Sequence, residues 1–382
     1  GKKSLQEIAD LLEREALNFG MKFEEVEDGI RVTDWGTPPS RAAANAPDDV
    51  KAARIELRPV VDAPAATTEP PLTPSLASTP PPVVQDAPVD PPAKELLGLK
   101  GFEGRHYLVG YEYKSELWYP HIKDVGGGYV GIGSDQQYIF IGWARPDVAW
   151  LCDYDPLVVD LHAVYRVFFL QSDTADAFMQ WWSAGKSGEA KALLEGQFKG
   201  DPKLPIYLKL YRDNRSNVAV RLAKVKQQMS ATKTPSYLTD ADTYAYVRGL
   251  WQTGRMRAQS TNLLADKGLT GIAQSARELG VTIRAVYLSN AEGYWPYSKQ
   301  FRANMGGLPF DDKTVILRTI ATFSINQDYR YNVQPGLKYQ AWLATPVYGV
   351  RAMIPRPKDP TAKGADFIKF DRDPPAPKGK PK

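Results

Sequence analysis

Residues 124–156, DVGGGYVGIGSDQQYIFIGWARPDVAWLCDYDP, carry the pattern on which the fold turns. An apolar run, YVGIG, ends in glycine at Gly133, and helix-like residues begin near Asp135. A second apolar run, AWLCD, ends at Asp153, with Asp155 just beyond. Strand, glycine turn, helix, strand, acid is the order of a βαβ unit, and it predicts a parallel sheet. An acid roughly 20 residues after the glycine turn is where a Rossmann-type site meets a ribose. Gly131 and Gly133 would let the backbone approach a ligand, and the helix N-terminus would supply unpaired N–H groups.

The match to a dinucleotide fingerprint is partial. GIGSDQ lacks the third glycine of GxGxxG, which argues against a pyrophosphate. A short G-x-G followed by an acid suits an adenosyl cofactor, whose other end is an amino acid. The alternative is a tight strand-to-helix turn with no ligand.

Outward from this stretch the alternation continues over about 250 residues. YLVGYEY (107–113) reads as a strand before the glycine run. VVDLHAVYRVFFL, TADAFMQWWSA, NRSNVAVRLAKVKQQMS and DADTYAYVRGLWQTG read as helices and RMRAQSTN as a strand. LTGIAQSARELG is a helix closed by Gly280, TIRAVYLSN a strand, PYSKQFRANMGG a helix and KTVILRTIATF a strand. The expected fold class is α/β, a doubly wound, mostly parallel, Rossmann-like sheet with helices on both faces.

The flanks read differently. Ser4 opens an amphipathic helix over 4–18, with Glu7 completing a capping box, and FEEVEDGIRVTDW reads as a hairpin around Asp28-Gly29. Residues 1–55 are therefore a small N-terminal α/β appendage, a candidate surface for a protein partner. Residues 56–97 are rich in Pro, Ala, Ser and Thr and read as an extended, solvated linker. The main domain is expected over 98–355, with a disordered tail over 356–382.

Composition narrows the function. With 48 basic and 44 acidic residues there is no excess of the kind that marks a nucleic-acid binder. One cysteine, Cys152, excludes an internal disulfide and a Cys-based zinc site. No apolar run reaches the roughly 18 residues of a membrane span. The linker type and the start at Gly1 rather than Met suggest a periplasmic or envelope location, with the cytoplasm as the alternative.

Several stretches together resemble an uncharacterised bacterial family, known from Leptospira among others. Its core looks like a class I S-adenosylmethionine-dependent methyltransferase. The matching blocks are GGGYVGIGSDQQY (126–138), WARP (143–146), AWLCD (149–153), LHAVYRVFF (161–169), SYL (236–238), VYLSNAEGY (286–294), FRANMGGLP (301–309) and VILRT (315–319). Where the family tends to end a strand in Gly-Asp-Phe, this chain has Ser260-Thr261-Asn262.

The resemblance implies S-adenosylmethionine as cofactor and an acceptor of unknown kind. Gly131, Gly133, Asp135 and Gln136 would lie at its methionine end. Asp153 or Asp155 would accept from the ribose, and Asn262 would face the adenine. Asn290, Glu292 and Tyr294 would line the acceptor pocket, with Glu292 as a base. Methyl transfer from a sulfonium needs alignment more than a nucleophilic triad, and alignment can supply roughly 7–11 kcal/mol. The competing reading is a non-catalytic Rossmann-like binding or scaffold module, tethered by its Pro-rich arm. A crevice plugged by the chain's own side chains would favour it.

Other residues have plainer readings. His162 is expected to be a satisfied buried polar group, His121 a loop residue and Cys152 inert packing. Trp181-Trp182 and Phe168-Phe169 read as core, and Arg212–Lys226 as a solvated helix face.

Overall fold

The structure is a computed structural model, and it describes residues 22–26, 29–34, 88–90, 106–322, 328–354, 359 and 361–376. The chain divides into two compact units, Gly1–Ser78 and Thr79–Lys382. In the first, β1 (Lys22–Val26) pairs antiparallel with β2 (Gly29–Asp34), which is the expected hairpin. The helix expected over 4–18 lies outside the described residues.

The second unit is built on a seven-stranded, mostly parallel sheet. Its strands are β3 (Gly128–Ile132), β4 (Val148–Asp153), β5 (Met256–Ser260), β6 (Ile283–Tyr287), β7 (Val315–Ala321), β8 (Tyr329–Pro335) and β9 (Phe367–Lys369). The order across the sheet is β5-β4-β3-β6-β7-β8-β9. β5, β4, β3, β6 and β7 run parallel, and β8 is antiparallel to β7. β9 then pairs parallel with β8.

The glycine run itself sits at the opposite end of β3 from the candidate site. Gly126 and Gly127 adopt φ of 67° and 65° and turn the chain into the strand. A Cβ on Gly127 would stand 2.4 Å from the Thr282 carbonyl oxygen. The turn that matters for a ligand is the later one, at Gly133.

Eight helices of eight or more residues, among those described, cover both faces of the sheet. They are α1 (Gln136–Ala144), α2 (Pro156–Leu170), α3 (Ser187–Gln197), α4 (Leu204–Ala231), α5 (Ala241–Gln252), α6 (Gly268–Glu278), α7 (Lys299–Gly307) and α8 (Gly336–Leu343). The period-2 alternation of β4 explains why two faces are needed. Ala149 and Leu151 join the core under α1, α2, α4 and α5, which holds Phe168, Phe169 and Trp182. Val148, Trp150 and Cys152 point the other way, into a second core with Leu269, Ile272, Phe301 and Tyr339. Helix α1 is buried along its whole length, which is why its sequence after Gln137 is apolar on every side.

Four local expectations need correction, one of them the tail: β9 (Phe367–Lys369) belongs to the sheet, yet it lies within the stretch 356–382 expected to be disordered. Residues 107–113 form no strand: they run irregularly, and Gly110 gives its N–H to a side chain instead of a ladder. The helix expected from residue 214 starts at Leu204, where Pro205 stands in the first turn and leaves no helical bond unmade. The linker is not solvated throughout, since Asp90 is 1% exposed.

Candidate ligand site at the carboxyl edge of the sheet

Strand order reverses between β3 and β6, and in open α/β sheets ligands sit beyond the carboxyl ends of strands at such a switch point. Asp153 ends β4, and Gly133, Asn262 and Ser289 lie just past the ends of β3, β5 and β6. The expected residues are therefore gathered at one edge. What each one does there differs from expectation.

Gly133 has a φ of 97°, a conformation that strongly favours glycine. Its N–H lies 3.1 Å from Asp153 Oδ2 and 3.2 Å from the Cys152 carbonyl. Its own carbonyl accepts from His162 Nε2 at 2.9 Å and from Gln137 Nε2. Gly131 is needed for a packing reason. A Cβ there would stand 2.3 Å from the Tyr129 hydroxyl and 2.7 Å from Gln137 Oε1. The close approach that this glycine permits is by the chain's own side chains.

Asp135 is fully buried and ion-paired. Arg221 Nε, on α4, donates to its Oδ2 at 2.9 Å, and the Gly110 N–H donates to Oδ1 at 2.6 Å. Gln136, buried beside it, reaches the Tyr287 hydroxyl at 3.5 Å. Arg221, expected on a solvated helix face, is buried because Asp135 lies beneath α4. Its NH1 donates to the Glu112 carbonyl at 3.0 Å.

Residues 106–114 thus form an arm laid across the strand ends. His106 Nδ1 is 2.7 Å from Asp155 Oδ2. The Glu112 carboxylate is buried and accepts from the Tyr287 and Ser289 hydroxyls. The Tyr331 hydroxyl accepts the N–H groups of Tyr113 and Lys114 at 2.8 and 2.9 Å. Ser289 adopts a φ of 48°, an uncommon conformation for serine, at the tip of β6. Arg221, Glu112 and His106 were not foreseen, since every partner lies far away in sequence.

Asp155 caps α2, accepting the Leu157 N–H at 2.9 Å with Pro156 in the first turn. It is a cap and arm anchor, where a ribose contact was expected. Asn262, expected to face an adenine, accepts the Leu264 N–H at 3.0 Å with its Oδ1 in a local turn. Asp153 is different. It is half-buried, and its two carboxylate oxygens accept the N–H groups of Gly133 and Asp155. Withdrawal from water pushes its carboxyl up to about 7, against those bonds, and the charge of Asp155 adds to the rise.

The acceptor trio is split. Asn290 Nδ2 donates to the Tyr294 hydroxyl at 3.1 Å, and Tyr294 is exposed. Glu292 is 2% exposed and takes no place beside them. It accepts from the Tyr297 and Tyr339 hydroxyls at 2.6 and 2.7 Å and pairs with Arg318 at 3.2 Å. Arg318 lies over the Tyr339 ring and donates to Gln334. A carboxylate so enclosed ties β7 to α8 through Arg318 and Tyr339; the general-base role expected for it does not fit.

His162 is buried under the turn, with Nε2 on the Gly133 carbonyl and the Tyr138 hydroxyl 2.8 Å from Nδ1. Burial pulls it down to about 4, so it is neutral and Nε2 carries the proton. Because its folded value lies below the ordinary one near 6.5, its contribution is complete above pH 6.5. It is lost as pH falls towards 4, about 3 kcal/mol in all. Asp153, whose value is raised, acts with the opposite sign: its contribution fades as pH rises through 7. Comparing His162→Gln with the parent isolates the histidine. Urea unfolding at pH 7 and pH 4.5 should show a smaller acid loss in the variant. Cys152 is buried and its thiol is pushed up to about 12, as expected of inert packing.

Among the described residues, no group of three or more His, Cys, Asp or Glu side chains could hold a metal ion. No described helix is long and apolar enough to cross a membrane. Residues 107–369 match the model of a family described as a domain of unknown function, DUF7790. The match spans more than half of the chain, and the protein belongs to that family. A comparison with curated proteins returns no match.

Proposed function

We propose that the chain is a Rossmann-like, methyltransferase-like binding or scaffold module and not a working methyltransferase. The order β5-β4-β3-β6-β7, with its switch point at β3 and β6, supports the Rossmann-like part of this reading. The observation that carries the rest is Asp135. The acid expected at the methionine end of S-adenosylmethionine is held by Arg221 and the Gly110 N–H.

A cofactor using Asp135 would have to break that buried pair. The cost of such a break is about 3–5 kcal/mol. That lowers apparent affinity by roughly two to four orders of magnitude. Asp155 and Asn262 are engaged in the same way, in a cap and a turn. The Pro-rich arm would tether the module within an assembly, and an envelope location belongs to the same reading.

A second reading rests on Asp153. A half-buried carboxylate without a cation among its partners given above, aimed at the glycine turn, suits ribose hydroxyls. Calorimetric titration of S-adenosylmethionine and S-adenosylhomocysteine into the whole chain separates the two. We expect no saturable heat from either. Micromolar binding that disappears in Asp153→Ala would establish the cofactor site and overturn the scaffold reading.

A further inference from the structure

Pro88, Val89 and Asp90 lie against the end of β5, the strand at the edge of the sheet, and Asp90 holds the backbone of Asn262 there. The Asp90 N–H donates to the Ser260 carbonyl at 3.2 Å, where β5 ends. The Asp90 carboxylate accepts three backbone N–H groups, from Asn262 at 2.9 Å, Lys267 at 3.1 Å and Gly268 at 3.0 Å. Two of these, Lys267 and Gly268, open α6.

Two glycines shape the seat. A Cβ on Gly268 would stand 2.4 Å from Asp90 Oδ2, and one on Gly271 would stand 2.7 Å from the Pro88 carbonyl oxygen. Side chains at these positions would exclude the segment. Val89, between the two contact points, is exposed. The seat therefore takes backbone at the first residue, ignores the second and captures a carboxylate at the third.

We propose that this seat is a peptide-recognition site for an extended Pro-x-Asp segment, and that the Pro-rich arm fills it in cis. Strand-edge hydrogen bonding and anion capture at a helix N-terminus are both established ways of binding extended peptides and acids. A tethered occupant has a high effective concentration, so a competing acidic peptide gains access only when the arm is released or altered. The partner this surface fits is another protein carrying the same Pro-x-Asp chemistry. The inference does not depend on the reading of the switch point.

The test is a fluorescence-anisotropy titration of the labelled peptide QDAPVDPP, residues 85–92, into the whole chain carrying Asp90→Ala. The variant should bind the peptide saturably. The same peptide carrying D90N should bind at least about tenfold more weakly, and so should the parent protein, whose seat is filled. Adding Gly271→Leu to the variant should abolish binding. Should Asp90→Ala fail the circular-dichroism check for folding, Asp90→Asn, which keeps the shape and loses the charge, takes its place. A folded variant that binds both peptides equally, or neither, overturns the proposal.

Discussion

Arg221→Met is expected to lower the unfolding free energy by about 3–5 kcal/mol in urea denaturation, more than a surface arginine of α4 could account for. The reason is Asp135, which is fully buried and would lose the guanidinium beside it. The variant also releases the Glu112 carbonyl, which Arg221 NH1 now binds. Both losses fall on the arm that crosses the strand ends. Amide exchange at Gly110, whose N–H is held by Asp135, should therefore rise before the rest of the sheet opens. The double variant Asp135→Asn with Arg221→Met should regain much of the loss, because it removes the stranded charge along with its partner. Equal stability of the parent and Arg221→Met would mean that the buried pair is not formed in solution.

Glu292→Ala is the second large effect. It strands Arg318, which is fully buried, and removes the acceptor shared by the Tyr297 and Tyr339 hydroxyls. A loss of about 3–5 kcal/mol follows from the unpaired guanidinium. Near-normal stability combined with a lost activity would restore Glu292 as a base in an acceptor pocket. The structural reading predicts the reverse order of severity: Asn290→Ala, whose side chain reaches only the exposed Tyr294 at the rim, should fall within about 0.5 kcal/mol of the parent.

The parts of the fold that were legible are those in which local pattern and tertiary role agree. YVGIG and AWLCD alternate between two cores, and both were readable as buried strands. The capping signal of Asp155 before Pro156 was equally present in the sequence. Its position after a strand also matched a ribose ligand, and spacing alone cannot choose between the two. Residues 107–113 misled because alternating tyrosines imitate a strand, while their backbone is fixed by side chains from β8, α4 and the glycine turn. Strand β8 was invisible for the opposite reason. Its polar residues Arg330, Asn332 and Gln334 suggest an exposed face, yet all three are buried. Asp135 and Glu292 are the same lesson at the site. An acid in a motif reads as a ligand until its arginine, 86 residues away for Asp135, is seen.

The arm has a consequence for how this protein comes into being. It precedes the seven-stranded sheet in the chain; Asp135 and Asp155 follow it closely, but its other anchors come late. Glu112 waits for Tyr287 and Ser289, the Lys114 backbone for Tyr331, and the Lys114 side chain for Asp366, which is 252 residues downstream. At ordinary rates of synthesis that interval is roughly 10–50 s. Throughout it the tyrosine-rich segment lacks part of its seat, because β6 and β8 cannot supply their share until most of the domain has been made. From Lys114 to Asp366 the nascent chain therefore carries a tyrosine-rich stretch without its late anchors, a window in which a chaperone, or the partner that the module serves, could take hold first.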